Sequence, residues 1–301
     1  MDDKNNDSPT NSLTRGVSMT VAALALAAFS GAIMKLLGEG FSAIQVAWFR
    51  FSGMSLMLLP YLIWRYGVAG LNPARPWIQL FRGLTMAGGT SAFVIGSQSV
   101  DYADAIAILY AYPFLLVIIA VVFLREQAGW SVWVGVTAGF IGVLLVMRPD
   151  FGRINTGTLF IFGCAVIISI QLALNRHLSI LAPPLVTAFA GATCAALALS
   201  LVLPGAWQPI PDSAWPYIVL LILAGGISQT LLVFSFAYAK ASTLAPFTYS
   251  EIVAAVILGY LMFSTLPSLL SWAGIALITA GGIYVAHALR VRNIPRRVPK
   301  I

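Results

Sequence analysis

Four side chains carry a formal charge inside stretches that are otherwise apolar: Lys35, Arg50, Arg82 and Glu251. A guanidinium such as Arg50 can hold a carboxylate through paired N–H···O bonds or lie flat against a planar ring. Trp48 stands on the same run as Arg50, and Tyr110 and Tyr112 fall at a similar level of a later one. Glu251 follows Tyr249 closely and can serve as counter-ion to a cationic group, take up a coupling proton, or pair with Arg82. Arg50, Trp48, Tyr110, Tyr112, Tyr249 and Glu251 are therefore the candidate substrate contacts, and Arg82 with Glu251 a candidate gate or ion pair. Catalytic chemistry has no comparable basis. His177 and His287 are far apart in the chain and no H-E-x-x-H, Walker A or Asp-rich run occurs. Cys164 and Cys194 lack zinc spacing. No catalytic residue, metal site or cofactor is predicted.

The elements that position these groups are set by lipid. Of 301 residues, 59% belong to the apolar set and only 9% are charged, where about 25% charged is usual in soluble proteins. So few charges cannot cover a soluble particle of this size. A bilayer core of about 30 Å needs roughly 20 apolar residues per helix. With Pro, Gly and charges as boundaries, ten such runs lie near 16–37, 43–63, 77–99, 103–123, 130–147, 157–176, 183–203, 215–238, 244–263 and 268–289. The expected fold is an all-α integral membrane protein with ten transmembrane helices. Residues 1–15 are polar and unperiodic and read as disordered; residues 290–301 form a basic tail.

Charge orients the spans. An even number of crossings puts both ends on one side, and 12 of the 17 Lys and Arg residues then fall on that side against three on the other. The positive-inside bias makes it the cytoplasm, in a bacterial-type inner membrane. The net charge of +7 owes much to Arg290, Arg292, Arg296, Arg297 and Lys300, a tail suited to anionic lipid rather than nucleic acid. With a 1.5 Å rise per residue, Arg82 and Glu251 lie roughly 7 and 10 Å in from the cytoplasmic face, and Arg50 roughly 10–12 Å from the outer one. A charge at mid-membrane costs about 2.5–3.5 kcal/mol and usually faces a partner or a watery cavity. Lys35 and Arg82 are near enough to span ends to snorkel.

The chain also repeats. Trp133-x-Gly135 followed by Gly142 recurs as Trp272-x-Gly274 followed by Gly281, at an offset of 139. Gly88-Gly89 returns as Gly225-Gly226, and Tyr102-Ala103-x-Ala105 as Tyr238-Ala239-x-Ala241, at offsets of 137 and 136. Residues 16–147 and 157–289 are thus read as two copies of five spans. An odd number of spans per copy inserts the copies with opposite orientation, the architecture of alternating-access carriers with a site at the repeat interface. The glycine strings on the fifth and tenth spans fit close helix packing.

The inverted five-plus-five pattern, the turn Phe123-Leu124-Arg125-Glu126, the following Trp133-x-Gly135 and the closing Met147-Arg148-Pro149 resemble the EamA-type family of the drug/metabolite transporter superfamily. Val46-Ala47-Trp48-Phe49-Arg50, Arg82-Gly83 and Ala245-Pro246-Phe247-Thr248-Tyr249-Ser250-Glu251 are similar to the branch that contains S-adenosylmethionine and riboflavin uptake carriers. In that branch an arginine often precedes the tyrosine of the ninth span, where this chain has Thr248. The resemblance implies a secondary carrier for a small organic metabolite such as S-adenosylmethionine, riboflavin or an amino acid. Export of amino acids or xenobiotics on the same fold, and an ion channel, are the rival readings. Lipid and a small organic substrate are the implied partners, with protons as a candidate coupling ion; monomer and homodimer both fit a duplicated chain.

Overall fold

The structure, a computed structural model, describes residues 9–71, 75–122, 129–147, 155–178, 183–238 and 244–292. Its α-helices are α1 (Pro9–Leu37), α2 (Ala43–Tyr66), α3 (Pro76–Ser97), α4 (Tyr102–Leu109), α5 (Tyr112–Val122), α6 (Trp130–Met147), α7 (Thr156–Leu178), α8 (Pro184–Val202), α9 (Trp215–Tyr238), α10 (Ser250–Phe263) and α11 (Leu269–Arg292). A 3-10 turn, Ala245–Tyr249, leads into α10. Helices α4 and α5 are two halves of one span, so the helices make ten spans. Among the described residues, five stretches are long and apolar enough to cross a membrane by length and composition alone: Thr14–Leu37, Ala43–Tyr66, Tyr102–Ile119, Leu185–Gly205 and Asp212–Leu232.

Local chemistry explains several ends. Ser42 Oγ accepts from the Gln45 amide at 3.2 Å, capping α2, and Gly67 closes that helix with φ 64°. Proline opens α3 and α8 at positions whose amide would go unbonded anyway. Proline also stands at the head of α1, which begins at Pro9. Residues 9–15, expected to be disordered, are therefore helical. Likewise α11 runs through to Arg292, past the expected boundary at 289. The charged turn 123–126 and Arg148-Pro149 lie outside the described residues.

Burial is inverted relative to a soluble protein. Leu269 and Leu201 are 88% and 84% exposed, while Gln45, Gln79 and Arg82 are buried. Large aliphatic side chains point outward because lipid solvates them; polar groups turn inward because lipid does not.

The two halves interlock around a pseudo-two-fold axis. The first span of each half packs against the third of the other, α1 on α9 and α7 on α3. The first span of each also meets the broken fourth span of the other: α1 lies on α10, α7 on α4 and α5. The second spans pair as α2 with α8, and the fifth as α6 with α11. Glycines set that last contact, and they do so reciprocally. A Cβ on Gly142 would stand 2.7 Å from Gly274 O and one on Gly274 2.6 Å from Gly142 O; for Gly135 and Gly281 the values are 3.0 and 2.9 Å. Each glycine thus touches the repeat-equivalent of its neighbour, as antiparallel copies require.

Backbones this close leave no room for a methyl group. Gly142→Ala is expected to cost about 1–3 kcal/mol through overpacking, lowering the Tm of detergent-purified protein. Gly88→Ala, where the added Cβ meets nothing within 4 Å, is the control and leaves Tm unchanged or slightly raised.

Candidate functional site

Both fourth spans are interrupted at a proline. In the first half, α4 stops at Leu109 and α5 starts at Tyr112, with Pro113 unable to donate an amide bond. In the second half, the 3-10 turn containing Pro246 precedes α10. Pro113-Phe114 and Pro246-Phe247 are the same dipeptide at an offset of 133, against 136–139 for the repeats, so the two breaks fall in the same span of each half, about one helical turn out of register. Interrupted spans of inverted repeats are where carriers bind their substrates, because freed backbone groups and helix ends become available there.

Tyr110 sits in the first break and reaches the second. Its hydroxyl oxygen lies 2.5 Å from Thr248 O and 2.8 Å from Glu251 Oε2, both within reach as acceptors. Its ring lies 5.4 Å, centroid to centroid, from both Tyr112 and Tyr249. The Tyr249 ring is accommodated because Gly282 of α11 has no side chain where the phenol passes. Tyr110 and Tyr102 are fully buried, Tyr112 and Glu251 half-buried. Tyr102 OH donates to Ala28 O on α1.

Arg50 approaches the same cluster from α2. Glu251 of α10, Tyr102 of α4 and Cys164 of α7 lie within electrostatic range of it. Its Nη1 donates to Met34 Sδ at 3.2 Å, and its guanidinium carbon lies 5.8 Å from the Phe51 ring centre. It forms no ion pair with Glu251. Gly225 of α9 opens space beside it: a Cβ there would lie 3.3 Å from Ser30 Oγ and 3.9 Å from Arg50 Nε. Ser30 Oγ and Ser250 Oγ are buried with no hydrogen-bond partner. The cluster therefore offers a half-buried cation, a half-buried carboxyl group, tyrosine faces and orphan hydroxyls, drawn from both repeats.

Other expected residues are placed elsewhere. Trp48 is two positions from Arg50, which on a helix turns it about 200° away. Its indole N–H donates to Ser200 Oγ of α8 at 2.9 Å and its ring lies 6.2 Å from Trp207. Arg82 neither snorkels nor meets Glu251. It is 4% exposed, donates to Thr187 O of α8, and fits against Gly191, where a Cβ would lie 2.5 Å from Nη1. Matching depth did not imply a matching direction. Lys35 does not reach for headgroups either; it caps α3, donating to Ser97 O and, at 2.7 Å, to Val100 O. Ser30, Tyr102 and Cys164 were not singled out as site residues, and the matched Pro-Phe pairs were the signal that would have drawn attention to this level of the bundle.

Two interlocked inverted repeats around broken spans and a shared polar centre define a membrane carrier. The chain belongs to the EamA-like transporter family, whose model matches it twice, at residues 14–148 and 155–286. The S-adenosylmethionine uptake transporter of Rickettsia conorii is 26% identical over 276 residues, covering 91% of this chain and 92% of that one. The riboflavin transporter of Rhizobium johnstonii is 27% identical over 264 residues, 86% of this chain and 84% of its own. A crystal structure at 20% identity superposes with a TM-score of 0.62 over 95% of this chain and 100% of that one, which shows the shared fold. The protein is a small-metabolite transporter and not an enzyme.

Lys35 gives a test that separates scaffold from site. Lys35→Met removes both carbonyl contacts and is expected to cost about 1.5–3 kcal/mol, the range for bonds to a charged donor. A lower Tm with unchanged ligand affinity is the predicted result.

Proposed function

We propose that the chain imports a small metabolite bearing both an anionic and a cationic group across a bacterial-type inner membrane by alternating access. S-adenosylmethionine is the leading candidate. Arg50 takes the carboxylate, Glu251 faces the sulfonium or ammonium group, and Tyr110, Tyr112 and Tyr249 supply ring faces to the cation and the purine. The carrying observation is that Arg50 and Glu251, one from each repeat, belong to one polar centre and form no ion pair with each other. A cationic group and a carboxyl group left unpaired in one centre suit a ligand that brings both an anionic and a cationic group. The name of the Rickettsia conorii relative favours the same class of substrate. Both termini are placed in the cytoplasm on the distribution of Lys and Arg. The two repeats rock about the broken spans, opening the centre to one face and then the other.

The experiment is a thermal-stability panel of S-adenosylmethionine, riboflavin and amino acids on detergent-purified protein, followed by uptake in proteoliposomes. A ligand at 100 times its Kd adds about 2.7 kcal/mol to the folded state. S-adenosylmethionine is expected to raise Tm selectively, with the shift lost in Arg50→Ala and unchanged in Trp48→Phe. An equal shift in Arg50→Ala contradicts the assignment of Arg50.

A further inference from the structure

The Tyr110 hydroxyl has one proton to give; besides a hydrogen bond shared with the Tyr112 hydroxyl, it has two close neighbours that are a carbonyl and a carboxyl oxygen. Thr248 O is 2.5 Å away and Glu251 Oε2 2.8 Å away. One O–H can point at only one of them with good geometry. If Glu251 were a carboxylate, the remaining O···O contact would hold no proton and would set lone pairs against each other. Both contacts are satisfied at once when Glu251 is a carboxylic acid, since only the protonated form has an O–H to donate. Then Glu251 Oε2–H donates to Tyr110 Oη, and Tyr110 donates to Thr248 O.

Arg50 supports the same state independently. An ionised Glu251 facing a guanidinium in a low-dielectric interior would draw it into contact. Instead the guanidinium rests on Met34 Sδ and beside Phe51, weak partners that a cation keeps only when no carboxylate competes.

We propose that Glu251 is a proton-binding site, occupied in this conformation, whose proton completes a Glu251–Tyr110–Thr248 chain that ties the broken fourth spans of the two repeats together. Release of the proton leaves Tyr110 with one hydrogen bond to give and two acceptors. It turns to the carboxylate, the Thr248 carbonyl loses it, and the tie between the first break and the 3-10 turn is cut. The titratable groups in reach of Glu251 are Tyr110 from the first break, Tyr102 from α4, Tyr112 from α5 and Arg50 from α2, with Tyr249 of the 3-10 turn against the Tyr110 ring. Helix α1 also lies on α10, but its Lys35 sits over Phe263 at the far end. No other carboxylate is among these groups. Resting on the substrate reading above, a second consequence follows: a cationic group held by Glu251 excludes the proton, so the two occupy the site in turn.

Infrared difference spectroscopy on the full-length protein tests this directly. Ligand-free protein at neutral pH is expected to show a protonated-carboxyl band that disappears in Glu251→Gln and shifts in Tyr110→Phe, which keeps the acid but removes its partner. Absence of that band from the well-folded wild type, or a band unaffected by Glu251→Gln, overturns the proton site. Adding S-adenosylmethionine is expected to bleach the band. A Tm shift on adding it with the band intact overturns the exclusion of proton by cation. A band present as predicted with no Tm shift from any compound counts against the substrate reading and supports the proton site.

Discussion

A helix that breaks inside a bilayer must find partners for the backbone groups it frees, because hydrocarbon offers none. This chain breaks twice, at Tyr110–Ala111 and across Ala245–Tyr249. It answers one break with the other: the tyrosine at the first supplies a donor to the Thr248 carbonyl at the second. The rest of the centre is arranged around that bond. Tyr112 and Tyr249 pack at a tilt against the bridging ring, Gly282 clears space for Tyr249, and Glu251 comes to hydrogen-bonding distance from the first turn of α10.

The surrounding bundle holds the breaks in register through contacts of a different kind. Where α6 meets α11 the backbones touch at glycines, paired reciprocally across the pseudo-two-fold axis. Such contacts are rigid, apolar and independent of charge. The centre is the opposite, with half-buried charges, a thioether in place of a counter-ion, and hydroxyls without partners. Stable outer packing around an under-satisfied core is what a carrier needs, since the core must exchange ligand, proton or water while the scaffold keeps its shape.

Much of the fold was legible in the sequence. Ten apolar runs and the recurring Trp-x-Gly follow from composition and spacing, which lipid constrains tightly. Part of the candidate site was legible for the same reason: Tyr110, Tyr112, Tyr249 and Glu251 are polar groups in apolar runs and lie together at the breaks, with Arg50 in electrostatic range of Glu251. Direction around each helix was not. Trp48 and Arg82 have suitable depth, yet helical phase aims Trp48 at Ser200 and Arg82 at Thr187. Nor was the cap that Lys35 places on α3, because a lysine near a span end reads the same whether it meets headgroups or carbonyls. The start of α1 at Pro9 shows a similar limit: a polar segment can extend a helix that the membrane-spanning portion has already nucleated.

The central claim is that ligand binds where the broken spans cross, between residues contributed by both repeats. The most direct measurement is a structure of the protein with S-adenosylmethionine bound. Ligand density between Arg50 and Glu251, against Tyr110 and Tyr249, is the predicted result. Density confined to another part of the bundle, such as the Trp48–Trp207 pair beside α8, with Arg50 and Glu251 closed into an ion pair, would contradict it.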